Sequence, residues 1–188
     1  MKEFFAWLAT AATLTFTLPG ALPGMAAQGD PRLDDLFARL KASQNPIESQ
    51  FIEQAIWRVW LVSGNERADR LMAQGIEAMS GRDFDDALAA FDELVRLAPD
   101  FAEGWNKRAT LHYLMGDLSA SLADIDRTLK LEPRHFGALS GRGLVYLALG
   151  REEPALAAFD AALAIYPDLQ GRDTHIKQLR EKLRGRRI

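Results

Sequence analysis

The stretch that decides the fold is WNKRATLHYLMGDLSASLADIDRTLKLEP, Trp105 to Pro133, because its pattern recurs once upstream and once downstream at one constant offset. At that offset Leu71, Trp105 and Leu139 coincide, as do Gly75, Ala109 and Gly143, and Ala87, Ser121 and Ala155. Leu88, Leu122 and Leu156 follow, then Phe91, Ile125 and Phe159, then Val95, Leu129 and Leu163. Leu97, Leu131 and Ile165 precede the three prolines Pro99, Pro133 and Pro167. Within the middle copy the spacing predicts two helices, near 102–114 and 118–131. Gly116 suits the left-handed end of the first, Asp117 can cap the second by accepting free amide hydrogens, and Pro133 stops it. Leu122, Ile125 and Leu129 fall on one helical stripe. One copy cannot bury that stripe alone, so the copies must stack.

These residues resemble the tetratricopeptide repeat family, whose period is about 34 residues. Trp105, Gly143, Tyr146, Ala155, Phe159 and the three prolines match its pattern. The resemblance implies an all-α fold, a short right-handed superhelix of helical hairpins, with repeats at 68–101, 102–135 and 136–169. It implies that Trp105 is a packing tryptophan inside a helix pair. It extends to small signal-bearing repeat proteins of alphaproteobacteria. Gln74, Arg108 and Arg142 depart from the pattern where leucine is usual, His112 stands at a usual tyrosine, and Gly81 comes one step early, leaving Arg82 at the usual glycine position. The arginine stems can still cover apolar surface while their heads reach water.

The family's fold also implies a concave groove lined by the first helix of each pair. By position its walls are Asp69, Met72, Ile76 and Met79, then Glu103, Asn106, Thr110, Tyr113 and Leu114, then Ser140, Leu144 and Leu147. Members of the family that serve as chaperone co-factors clamp a terminal carboxylate with Lys, Asn and Arg. The matching positions here are Met72, Ile76, Lys107, Gly137 and Gly141, and only Lys107 offers a side-chain donor, so acidic tails are not the expected ligand.

Outside the repeats, Lys2 precedes the uncharged run Phe4–Leu18, then Pro19, Gly20, Pro23, Gly24 and the small residues Ala26 and Ala27. This is the layout of a secretory signal, expected over 1–27 and cleaved near Ala27 or Gln28. Residues 31–65 read as an N-terminal helix pair resembling a degenerate zeroth repeat, with Trp57 and Trp60 expected as core that seals the first repeat. Residues 172–184 read as a capping helix with Ile176, Leu179 and Leu183 toward the stack.

The net charge of −3 gives no general case for nucleic acid, although seven basic side chains against Asp173 and Glu181 give residues 172–188 a charge of +5 and leave −8 elsewhere. Cations are favoured at helix C-termini, which accounts for that tail. With no cysteine there is no disulfide, thiol nucleophile or thiolate metal site. His112, His135 and His175 lack partners at metal-ligand spacing and read as ordinary helix or loop residues. Gly141-Arg142-Gly143 follows no strand and has Tyr146 at the third glycine position of a dinucleotide loop. Ser140 lacks the nucleophile-elbow frame. Asp83, Asp85 and Asp86 lack the glycine and glutamate of a calcium loop. Asp124 and Asp126, two apart on a helix, diverge.

The expectation is therefore a non-catalytic periplasmic interaction module, an adaptor or assembly factor without metal or cofactor. Its partner would be a protein peptide or helix held in the groove, with membrane contact only if the signal segment is retained. The alternative is an inner-membrane-anchored scaffold or an accessory subunit of an envelope enzyme.

Overall fold

The computed structural model describes residues 27–172 and 174–185. The expected signal segment lies outside the described residues except for Ala27. Among the described residues every regular element is helical: α1 Arg32–Ala42, α2 Pro46–Trp60, α3 Glu66–Gly81, α4 Phe84–Leu97, α5 Ala102–Met115, α6 Leu118–Leu131, α7 Phe136–Ala148, α8 Glu152–Ile165 and α9 Thr174–Gly185. Short 3-10 turns occupy Ala27–Gly29 and Pro167–Arg172.

Helices α3 to α8 form three antiparallel hairpins that stack in chain order. Each hairpin turns through a left-handed residue at the same repeat position: Arg82 (φ 66°), Gly116 (φ 84°) and Gly150 (φ 69°). The second turn closes as its residues demand, with the Asp117 carboxylate accepting the Ala120 amide hydrogen at 3.0 Å. Asn65 caps α3 in the same way, and Asn45 caps α2, where Pro46 opens the helix without losing a bonded N–H. Within the first and third hairpins the helices approach so closely that a Cβ on Gly75 or Gly143 would overlap the ring of Phe91 or Phe159. Those phenylalanines are fully buried and anchor the local cores.

The departures from leucine carry a second repeated device. Arg108 donates from Nε and Nη2 to both oxygens of Asp124 at 2.7 and 2.8 Å, and from Nη1 to Asp92 at 2.7 Å, so it ties α5 to both α6 and α4. One repeat on, Arg142 pairs with Asp126, and in the cap Arg180 pairs with Asp160. Asp92, Asp126 and Asp160 themselves share one repeat position. A charged ladder therefore runs beside the apolar contacts at each junction. Bidentate arginine–carboxylate geometry makes its Asp124 rung the most directional of the set.

At the C-terminal end, Ile176 and Leu179 of α9 are buried with Ala155 and Phe159, and Leu183 packs beside them. The N-terminal pair behaves differently from the sequence expectation. It does not extend the stack ahead of the first repeat. Leu33, Phe37 and Leu40 of α1 and Ile52, Ile56, Val59 and Trp60 of α2 share one cluster with Phe136 and Tyr166, residues of the third repeat. Trp57 and Trp60 thus seal the junction of the second and third repeats. Periodicity identifies the apolar stripe of a helix, but a stripe of this composition fits more than one surface. Aromatic complementarity selected the third repeat. The chain enters beside the first two repeats, where Ala27 is buried with Ala68, Leu71 and Phe101, and the Gln28 side chain bonds to the Asp100 carbonyl and the Ala102 amide. It then runs along the third repeat as α1 and returns as α2 to join α3.

Candidate functional site: the concave face and the helix across it

Ten of the twelve groove residues separate into four groups. Met72 and Met79 are buried in the first core cluster with Phe91 and Leu111, so they offer no surface to a ligand in this conformation. Leu144 and Leu147 are half-buried and pack into the cluster shared with α9, because the capping helix stands where a further repeat would. Asn106 and Ser140 are buried. The Asn106 amide donates to Glu103 Oε2 at 3.0 Å and the Ser140 hydroxyl to the Phe136 carbonyl at 2.9 Å. Ile76, Thr110, Tyr113 and Leu114 are half-buried and form the open strip of the wall. Leu114 also borders an open depression of about 750 Å³ near the hairpin tips, together with Arg82, Phe84 and Met115.

Helix α2 lies across the first turns of α5 and α7. The Trp57 ring sits edge-on to His135 and Phe136 at 5.6 and 5.5 Å, with the Lys107 ammonium 5.5 Å from its centroid. The Trp60 ring stacks flat on His135, centroids 4.1 Å apart and planes 8° apart. A Cβ on Gly137 would lie 2.7 Å from Trp57 Cη2, so the missing side chain there makes the seat for the indole.

Beneath these rings is a buried polar cluster. Glu103 is 1% exposed and Lys107 7%. Lys107 Nζ stands 3.1 Å from Glu103 Oε1, an ion contact without hydrogen-bond alignment. His135, fully buried, closes the other side: its Nδ1 accepts the Ala138 amide hydrogen at 3.0 Å, capping α7. That leaves Nε2–H as the donor to Glu103 Oε2 at 2.8 Å. Burial pushes the Glu103 carboxyl up, but the Lys107 charge and the His135 hydrogen bond outweigh it and hold the group below the usual carboxylate range. A second buried carboxylate comes from α2 itself: Glu53 accepts from the Tyr166 hydroxyl at 3.1 Å and from Trp57 Nε1 at 3.3 Å. The Lys107 charge faces that of Glu103, and the hydrogen bonds to the two carboxylates from His135 and Tyr166 hold the helices together. Among the described residues no three metal-ligating side chains converge, and no helix is long and apolar enough to cross a membrane.

The fold and this geometry agree with what the chain is similar to. A family model described as tetratricopeptide repeat matches residues 72–124 and 107–169. A TPR repeat-containing protein of Rhizobium etli is 38% identical over 156 residues, covering 83% of this chain and 76% of that one. The chain belongs to the tetratricopeptide repeat family. It is also similar to tetratricopeptide repeat protein 36 of Bos taurus, 34% identical over 52% of this chain and 54% of the relative. A third relative is small glutamine-rich tetratricopeptide repeat-containing protein 2 of Saccharomyces cerevisiae, 28% identical over 54% of this chain and 30% of that one. The chain thus spans about half or less of those two relatives. Among solved structures, the TPR2B domain of yeast Sti1 in complex with pHsp70 superposes with a TM-score of 0.57 at 22% identity, over 65% of this chain and 99% of that one. The Arabidopsis OM64 TPR domain gives 0.57 at 21%, over 64% and 97%. A protein–protein interaction role follows from family membership.

The family's pattern did not lead to the residues that matter most in this tetratricopeptide repeat protein. Of the groove positions, Glu103 is not an open wall residue but the centre of the buried cluster. Asp69 is spent on the α2–α3 link, accepting from the Ser63 amide at 2.8 Å and its hydroxyl at 2.6 Å. Trp105, expected inside a helix pair, is half-buried. Its Nε1 donates to the Pro99 carbonyl at 2.9 Å and the Arg108 and Arg127 guanidinium groups lie over its ring at 4.9 and 5.7 Å, while Phe101 and Leu111 take the interior. His135 carried no flag as an ordinary loop residue. Glu103 and Lys107, four apart on a helix, were the one available signal of an ion pair.

Proposed function

We propose that this chain is a non-catalytic adaptor or assembly factor, exported through its N-terminal segment, that takes a partner peptide or helix on its concave face. The observation that carries the reading is α2 itself, a fifteen-residue helix seated across α5 and α7. Support for a partner site adjoining it comes from the strip Ile76, Thr110, Tyr113 and Leu114, apolar and neutral hydrogen-bonding groups without strong charge. Such surfaces suit segments with apolar anchors. An acidic C-terminal tail is not the ligand: Lys107 is engaged by Glu103, and Gly137 is covered by Trp57.

A photo-cross-linking side chain in place of Tyr113, with Lys130 on the exposed side of α6 as the control position, tests the site in cells. One dominant adduct from position 113 and none from 130 is expected. Equal labelling from both positions, or none from 113, would refute it. The export part is tested by intact mass. A mature form beginning near Ala27 or Gln28 in the periplasmic fraction is expected, whereas a form retaining Met1 in the membrane fraction would favour an anchored scaffold.

A further inference from the structure

Helix α2 meets the groove through one edge, Glu53, Trp57 and Trp60, at i, i+4 and i+7. These are contacts of a ligand with a receptor rather than of one repeat with the next. Trp57 fills the space over Gly137 and faces the Lys107 ammonium, Trp60 stacks on His135, and Glu53 takes the Tyr166 hydroxyl. Three features make the seat exchangeable. The Trp60 indole N–H is buried without a hydrogen-bond partner, so its desolvation is uncompensated. The floor is a Glu103–Lys107 pair whose burial under α2 carries a desolvation penalty of its own. The outermost tie of the hairpin, Asp34 to Arg134 at 2.6 Å, is a surface ion pair with Asp34 84% exposed, a kind that holds weakly.

We infer that the α1–α2 hairpin is an intramolecular ligand of the groove, and that the partner displacing it is a helix of the same signature: a carboxylate at i with aromatic side chains at i+4 and i+7. This rests on the reading that the concave face binds a partner segment. Because the competent state is the open one, a partner's apparent affinity is its intrinsic affinity reduced by the open fraction. Loosening the hairpin therefore strengthens binding, and fastening it abolishes binding.

The test uses the full mature chain and a fluorescent peptide of its own sequence Pro46–Trp60. Three forms are compared: the natural sequence, Asp34→Arg, and Asp34→Cys with Arg134→Cys bridged by a short bis-maleimide. The absence of native cysteine makes that bridge specific. Asp34→Arg sets two like charges together at an exposed position, so the repeats fold as before. Hydrogen exchange should show faster exchange in 46–60 with unchanged protection in α3–α6. Peptide binding should tighten at least about threefold in Asp34→Arg, in proportion to the open fraction. It should vanish in the bridged form and return when the linker is omitted. A peptide carrying alanine in place of Trp57 and Trp60 should not bind. Equal binding to bridged and unbridged protein, or retained binding of the alanine peptide, would overturn the inference. Absence of binding to all three forms would overturn it too, while a Tyr113 adduct in the cell would leave the broader reading standing.

Discussion

Gly137 and Gly141 lie four residues apart on α7, and replacing each by alanine should have opposite effects. At Gly141 the new methyl would meet only Ile125 Cδ1, at 3.8 Å, an ordinary contact. The substitution then acts through the backbone alone, and an interior glycine-to-alanine change in a helix is worth about 0.5–1 kcal/mol. At Gly137 the methyl would meet Trp57 Cη2 at 2.7 Å, Trp57 Cζ2 at 3.1 Å and His135 Cε1 at 3.3 Å. The neighbours are held: His135 is stacked on Trp60 and bonded to Glu103, so relief requires moving α2. Overpacking of that kind costs about 1–3 kcal/mol, and the helical gain is smaller this close to the N-terminus. Gly137→Ala should therefore lose about 0.5–2 kcal/mol net while Gly141→Ala gains, as read from urea melts. Hydrogen exchange should assign the Gly137→Ala loss to 46–60. Equal stabilisation by the two variants would refute the seating of Trp57 on Gly137 and, with it, the position assigned to α2.

Glu103→Gln removes the charge facing Lys107 and should cost about 3–5 kcal/mol at pH 7 if the hairpin stays closed. The folded Glu103 carboxyl titrates below the unfolded value of about 4.3, so its contribution is present above that pH and is lost as pH falls through the depressed folded value. The variant's stability should lack that acid-side decline, and a parallel pH profile would refute the assignment. Trp105→Ala should cost the repeats about 2–3 kcal/mol, whereas Trp60→Ala should loosen the docked hairpin and leave the melting of the repeats nearly unchanged, because the first ring packs within the stack and the second on the seat of the hairpin; a larger loss of repeat stability from Trp60→Ala in thermal melts would contradict these placements. Arg82→Gly should raise stability by about 1 kcal/mol, since a left-handed residue with a side chain carries a steric cost that glycine lacks. An unchanged or lower melting temperature would count against the left-handed turn.

The repeats were legible because their physics is local and is stated three times. A constant repeat period, a turn residue at 116, a capping aspartate at 117 and a small residue at 75, 109 and 143 each specify the hairpin independently. The arginine ladder was half legible: the departures at Arg108 and Arg142 were visible, but their partners Asp92 and Asp126 lie sixteen positions away on another helix, beyond any helical spacing rule. The groove's contents were not legible. Trp57 and Trp60 announced a buried aromatic edge, yet nothing within α2 states whether that edge covers the first repeat or the third. The answer depends on Gly137, which reads as a groove position without a side chain, on His135, which reads as a loop residue, and on Tyr166, which precedes a proline like any other repeat end. Each is unremarkable alone, and together they make a recess of the right depth and chemistry.

That recess also explains why the hairpin need not share the stability of the stack. The three repeats bury Phe91, Leu94, Ile125 and Phe159 against one another without help from α1 or α2. Opening the hairpin leaves those contacts in place and returns Glu103, Lys107 and Glu53 to water, which recovers part of the desolvation cost that docking imposes. Docking is driven by Trp57 and Trp60 against His135 and Phe136 and opposed by those three charged groups and the unpaired Trp60 N–H. A unit whose apolar gain is offset by polar burial sits at the low end of a protein's range of local stabilities. The hairpin should therefore open at lower urea than the repeats melt, so that Trp57 and Trp60 emission shifts ahead of the loss of helical circular dichroism. Coincident transitions would mean that hairpin and repeats are one cooperative unit and that the groove is closed for as long as the protein is folded.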